Sequence, residues 1–309
     1  MSDLTESLAP PHAARSPLVI GTPVVSFEPR APRSRTYRPD TVVDGWSTGR
    51  LAVRGGSVRG YQHRHDGTPR QDDFAIAAHE GTGAVVVAVA DGVSEAELSH
   101  VGATLACRTA VDQLLRWLDE EGGAGQPDWA DVLRCASWAL VEFAKAQPGG
   151  DTDTDTDNGT EAERAERLLA TTLVAAVVLP GEDGTATVTS ARAGDSTAWL
   201  LTGPDWAELF GGPAGELLDP AVHALPRLPA EIAGVPAVLP AGGVLLVGTD
   251  GVGGPVGEGR GPVGAALAAG LESPPSPLDL GYLLDFSRET FDDDRTLVAV
   301  WPLREADPG

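Results

Sequence analysis

The longest apolar runs in the chain end or begin on aspartates. Gly83 to Ala90 reads Gly-Ala-Val-Val-Val-Ala-Val-Ala and enters Asp91-Gly92. Val244 to Thr249 enters Asp250-Gly251 in the same way. Thr185 to Gly194 ends in Asp195-Ser196 and resumes through Thr197 to Leu201. Asp292-Asp293-Asp294-Arg295-Thr296 opens Leu297 to Trp301. Continuous β-branched runs of this length predict strands buried on both faces. Leu51 to Val53 and Phe74 to Ala77 read as further strands. Thr171 to Leu179 and Ala186 to Ser190 read as a hairpin around Pro180 to Gly184.

Between the strands the period changes to that of helices. Val101, Leu105, Val111, Leu115 and Leu118 share one face of a helix that starts at Ser94, with Glu97 as a capping box, or at Ser99. Trp129, Leu133, Ala136, Leu140 and Phe143 recur at 4, 3, 4, 3 spacing and form a core-facing stripe. A third helix covers Glu161 to Leu169, with Glu163 and Arg167 paired at i,i+4. Two more are predicted, around Val263 to Leu271 and Leu278 to Glu289. Residues 203–243, rich in Gly and Pro, carry no clear period. Strict βαβ alternation is absent, so the fold class predicted is α+β rather than a doubly wound parallel sheet.

The first forty positions contain seven prolines, with Arg15, Arg30, Arg33, Arg35 and Arg38 among them. Residues 1–45 therefore read as an extended, mostly disordered arm. A domain over 46–303 follows, with a short tail at 304–309. Asp151 to Gly159 is acidic, but no register puts Gly at position 6 and Glu at position 12 of a calcium loop, so it reads as a solvated connection.

With 309 residues, 42% of them hydrophobic, the chain can bury a real core. Acids outnumber bases 45 to 22. That balance argues against nucleic acid, whose affinity rests on Lys and Arg, and against an anionic membrane surface. Cys107 and Cys135 have neither CxxC spacing nor a histidine cluster and read as reduced thiols. The N-terminus has no apolar signal region and no run reaches membrane-spanning length, so a soluble, cytoplasmic protein is expected. Lys145 is the only lysine, which removes a phosphate-binding Gly-x-x-x-x-Gly-Lys-[Ser/Thr] loop. His-Glu-x-x-His and Gly-x-Ser-x-Gly are absent as well.

The aspartates at the strand ends carry the chemistry. Gathered at one mouth they would repel: two unit charges ~4 Å apart cost about 4 kcal/mol at an effective dielectric of ~20. A hard divalent cation relieves that cost, and Mg²⁺ and Mn²⁺ choose oxygen ligands. In order they are Gln71-Asp72, Asp91-Gly92, Gly194-Asp195-Ser196, Asp250-Gly251 and Asp293-Asp294-Arg295-Thr296. In this order, each on a strand edge, they make the chain from about Gly55 to Trp301 resemble the metal-dependent PP2C-type (PPM) serine/threonine phosphatases.

The resemblance implies a central β-sandwich of mainly antiparallel sheets flanked by helix pairs. It implies two or three Mn²⁺ or Mg²⁺ ions at one end of the sheets. Asp91 would bridge two ions, with the Gly92 carbonyl on one of them, and Asp250 and Asp293 would bind the other. Asp195 would serve a third ion and Asp72 would hold metal-bound water. Asp294 and Gln71 would stand behind these ligands. The reaction implied is hydrolysis of phosphorylated proteins by a metal-activated water, with no covalent enzyme intermediate. A Ser/Thr kinase is a possible cognate partner.

Two departures stand out. Gln71 replaces a common Glu. Gly67 stands where the family's phosphate-gripping arginine usually falls, and Arg64 is the first substitute, ahead of Arg59 and Arg70. His63 and His65 read as loop histidines, with an acid role as the alternative. These departures support a rival reading, a pseudophosphatase or regulatory binding module with the same fold. A third reading is a metal hydrolase for another phosphate ester.

Overall fold

A computed structural model describes residues 18–34, 38–147, 160–211 and 224–304. Two antiparallel sheets face each other. One has six strands: β1 (Thr41–Ser47), β2 (Leu51–Val58), β11 (Arg295–Pro302), β10 (Val244–Gly248), β7 (Thr197–Thr202) and β8 (Asp205–Glu208), in that spatial order. The other has five: β3 (Asp73–His79), β4 (Ala84–Ala90), β5 (Leu173–Pro180), β6 (Ala186–Ala193) and β9 (Val235–Leu239). The expected α+β class and sandwich are present.

The uninterrupted apolar runs follow from this layering. Val85, Val87 and Val89 of β4 meet Leu245, Val247, Val298 and Val300 between the sheets. The alternate residues Ala84, Val86, Ala88 and Ala90 pack under α2 (Ser99–Glu121) and α3 (Trp129–Lys145). Val244, Leu246, Leu297 and Ala299 pack on the opposite side with residues of α5 (Asp250–Val256), α6 (Pro262–Gly270) and α7 (Pro277–Leu284). Strands with helices on one face and a sheet on the other have no solvent side, so no polar alternation survives in them.

The helix stripes held with one shift. The α3 positions Trp129, Leu133, Ala136 and Leu140 are buried as expected, and Phe143 is half-buried. In α2 the buried face is smaller and rotated: Ala103, Ala106, Cys107, Ala110 and Leu114 lie inside, while Leu105 and Leu115 are only half-buried. Small residues let this helix lie close to β4, and larger ones ride the flank. Its start is at Ser99, and Ser94 is not its cap. Helix α4 matches its expected bounds, Glu161–Leu169. There Glu163 closes a capping box with Thr160. The helix expected over Leu278 to Glu289 ends at Leu284, where the chain turns to pair with the N-terminal segment.

That segment is the main correction. The described part of the expected arm is packed on the domain. Ile20 is buried and its amide donates to the Ser287 carbonyl, while the Ser287 amide donates to the Leu18 carbonyl. The Arg30 and Arg33 amides donate to the carbonyls of Arg64 and Gly67. Arg38 donates to Asp73 and to the Asp72 carbonyl. Thr41 already begins β1, inside the range assigned to the arm. Prolines tolerate an extended strap that pairs only in places, and a composition argument cannot tell such a strap from a free coil. The Asp151 to Gly159 run lies outside the described residues.

Candidate metal and phosphate site

Register brings the aspartates together. Strand β3 pairs with β4 so that Asp73 faces Ala90, which sets Asp72 beside Asp91. In the other sheet Gly248, at the end of β10, faces Leu297 near the start of β11 and Thr197 at the start of β7. Asp250, Asp293 and Asp195 follow or precede those positions. Each antiparallel pairing joins the end of one strand to the start of the next, so all five carboxylates arrive at one end of the sandwich.

Glycines permit the last approach. A side chain at Gly251 would collide with the Asp294 carbonyl oxygen, so only glycine lets α5 start against β11. One at Gly92 would come within 2.7 Å of the Ser99 backbone.

The electrostatics bear the mark of unrelieved repulsion. Burial, then Asp72 and Asp250, push the Asp91 carboxyl well above its usual range, and Asp250 lies within hydrogen-bonding reach of it. Burial and the charges of Asp294 and Asp293 raise Asp72 to about 8, although the hydroxyls of Thr296 and Thr249 act the other way. The Thr249 Oγ1 donates to Asp72 Oδ2 at 2.8 Å. Asp293 and Asp195 are raised too, each by burial first, then by Asp294 and Asp250 respectively. Asp195, Asp250 and Asp293 are exposed at the mouth, whereas Asp72 is buried. Open, acidic and oxygen-only, this donor set fits hard divalent cations.

Asp294 is different. It is 2% exposed and accepts from the Gly60 amide at 2.6 Å and the Gln71 amide at 2.5 Å. His63 Nδ1 lies 2.9 Å from its Oδ1, an ion-pair contact rather than an aligned hydrogen bond. Burial alone would raise this carboxyl, but His63 and the two amides outweigh burial and hold it below the usual range. Gln71 is buried, and its Oε1 sits 3.4 Å from Ser94 Oγ, beside the Asp91 turn.

Arg64 is not the free arginine expected. Its guanidinium is held by Asp285 at 2.7 Å and Asp40 at 2.9 Å. Arg59 donates to the carbonyls of His63 and Arg30. Arg70 is buried and donates to the Ser57 hydroxyl and the Asp72 carbonyl. The loop they occupy is partly a short helix, α1 (Tyr61–Asp66), and these arginines fix it in place.

Several residues of the site escaped the sequence. His63 groups with Asp293 and Asp294 so that one ligand atom of each lies within 4.8 Å of the others. Thr249 bridges Asp72 to the Thr296 amide. Thr172 accepts from the Asp91 amide and pairs with the Ser196 hydroxyl at 2.6 Å. Thr249 and Thr172 do sit next to or across from an aspartate-bearing turn, which is the one signal available. His63, read from the sequence as a loop histidine, lies in α1, and its pairing with Asp294 has no signal in sequence, since the two are 231 positions apart.

A model of the protein phosphatase 2C family matches residues 59–263. The chain belongs to that family. No curated protein sequence matches it significantly. Among solved structures, RsbX in complex with magnesium is 12% identical, with a TM-score of 0.52 over 85% of this chain and 100% of that one. PppA, a regulatory component of the type VI secretion system of Pseudomonas aeruginosa, is 15% identical, with a TM-score of 0.52 over 84% and 100%. The catalytic domain of the phosphatase PstP with two manganese ions is 15% identical, with a TM-score of 0.51 over 82% and 99%. At these identities the likeness is one of fold. Among the described residues no helix is long and apolar enough to cross a membrane.

Proposed function

We propose that this PP2C-family chain is a metal-dependent protein serine/threonine phosphatase. The observation that carries the reading is the convergence of Asp72, Asp91, Asp250 and Asp293 from four separate segments, with Asp72, Asp91 and Asp293 held above the normal carboxylate range by burial and one another. A fold does not keep such a cluster for its own stability. Asp91 with the Gly92 carbonyl, Asp250 and Asp293 would hold two Mn²⁺ or Mg²⁺ ions, and Asp195 would serve a third. Such ions, when bound, supply a nucleophilic water and neutralise phosphoryl oxygens.

The chain's own residues do the rest. Thr249 donates its hydroxyl to Asp72 Oδ2 and fixes that oxygen. Thr172 fixes the Asp91 backbone. Asp294 ties the segments of Gly60 and Gln71 behind the site. Substrates would be phosphorylated proteins, supplied by a Ser/Thr kinase. The protein would work in the cytoplasm, which suits the free thiols Cys107 and Cys135.

A second reading, a weak phosphatase that acts mainly by binding, draws on Gln71 and on the internal pairing of Arg59, Arg64 and Arg70. Hydrolysis of an aryl phosphate and a phosphopeptide, with Mn²⁺ and with chelator, tests both. Metal-dependent turnover abolished in Asp91→Asn supports the phosphatase. Metal binding without turnover supports the alternative.

A further inference from the structure

A cavity of about 630 Å³ opens directly beside the carboxylates. Asp195 and Asp250 line it together with Trp199, Trp206, Glu208 and Glu258, and Arg260 is the one basic residue of its lining. A phosphorylated substrate entering here is an anion approaching a chain of net charge −23. Beyond what bound metal ions supply, a cationic side chain not already spent on the fold would favour its entry. Arg38, Arg59, Arg64, Arg70, Arg192 and Arg295 all lie in the surrounding structure, and each is committed. Arg38 is bonded to Asp73, and Arg64 to Asp40 and Asp285. Arg59, Arg70 and Arg295 donate to backbone carbonyls. Arg192 lies over Phe210 and 3.7 Å from Glu208.

Arg260 is the exception. It is exposed, and among the described residues it makes no ion pair or hydrogen bond. Its position is nevertheless fixed. Gly259 has φ +79 and lies so close to Trp206 that any side chain there would strike the indole ring. Trp206 in turn stands edge-on to Trp199, with ring centroids 6.0 Å apart, and Trp199 is 4% exposed. A rigid aromatic pair thus anchors the turn that presents a free guanidinium to the cavity. A guanidinium offers a planar fork of donors that matches phosphate oxygens.

We propose that Arg260 is the substrate-binding residue that takes the phosphate group of the phosphorylated substrate in the cavity beside Asp195 and Asp250. This inference deepens the phosphatase reading, since it names the group that recognises that enzyme's substrate.

The test compares wild type, Arg260→Ala, Arg260→Lys and the distant surface variant Arg134→Ala, all loaded with Mn²⁺. Inorganic phosphate binding is measured by calorimetry, and KM and kcat are measured with an aryl phosphate. Arg260 is exposed and unpaired, so its variants should fold as wild type does. Arg260→Ala should weaken phosphate binding and raise KM by about tenfold or more, with Mn²⁺ affinity unchanged. Arg260→Lys should recover part of the loss, and Arg134→Ala should lose nothing. Phosphate affinity in Arg260→Ala within about twofold of wild type would overturn the proposal, as would wild-type protein that binds no phosphate. An equal loss in Arg134→Ala would also overturn it, by showing a net-charge effect. Phosphate binding that depends on Arg260 in a wild-type protein without turnover would refute the phosphatase reading and leave the role of Arg260 standing.

Discussion

Asp293 and Asp294 are neighbours in sequence and opposites in structure. Asp294 is enclosed and receives two backbone amides and the His63 contact, which hold its pKa down. Asp293 reaches the surface, but its carboxyl is hemmed in by the surrounding protein, and that desolvation with the charge of Asp294 raises its pKa. The same division separates the rest of the site. Arg64 and Arg70, inside, have partners for their donors. Asp91, Asp250 and Asp195, at the mouth, mostly have each other. A carboxylate matched by internal donors holds the fold, and one left facing other carboxylates is kept for a ligand from outside.

The strongest way to break this comparison is to remove the enclosed member. Asp294→Ala leaves two buried amides and His63 without their acceptor, and should cost about 3–5 kcal/mol of metal-free stability. Urea unfolding would measure it, and a cost under about 1 kcal/mol would mean that Asp294 does not organise the site. Asp91→Asn should do the reverse. Mn²⁺ affinity and turnover should each fall by at least about a hundredfold, while metal-free stability stays level or rises because one repelling charge is gone. Normal Mn²⁺ affinity with a lower melting point would make Asp91 a structural residue.

The two classes should also respond oppositely to pH. Asp72 titrates near 8 in the fold against 3.8 for an ordinary aspartate, so between those values the native state holds the extra proton. Its contribution is complete below about 4 and is lost as pH rises toward 8. Asp294, held low, contributes above its ordinary value and loses that contribution as pH falls through its depressed value. Metal-free protein should therefore melt at lower temperature at pH 8 than at pH 6. Saturating Mn²⁺ should cancel or reverse that difference, because the ion binds only ionised carboxylates. A metal-free melting curve that is flat from pH 6 to 8 would contradict the burial and repulsion that raise Asp72. The smallest effect concerns Gln71, which lies between the classes. Gln71→Glu adds a charge beside the Asp91 turn and should lower the Mn²⁺ concentration for half-activity, by about tenfold at most. An unchanged metal titration would place Gln71 with the enclosed residues.

Asp91, Asp195, Asp250 and Asp293 were legible because each follows or precedes a run of buried, largely β-branched residues, and such a run declares both its strand and its end; Asp72, before the half-buried β3, was picked out by its place in the family's order of motifs. The α+β class, the α3 stripe and the hairpin at Pro180 were legible on the same ground, since burial imposes a period that the sequence records, whereas the sandwich was expected only from the family resemblance. The N-terminal strap was misread because its anchors are single contacts such as Ile20 and the Arg30 amide, and single contacts leave no period.

The sequence alone determined that Asp72, Asp91, Asp195, Asp250 and Asp293 sit at strand edges and that the acids have too few bases to neutralise them. Only the tertiary structure decided which charges remain open. It enclosed Asp294 with His63, spent Arg64 on Asp40 and Asp285, and left Arg260 unpaired at the mouth. Those outcomes depend on contacts between residues far apart in the chain. Whether a charged group is satisfied is a property of its surroundings, and no local spacing of residues encodes it.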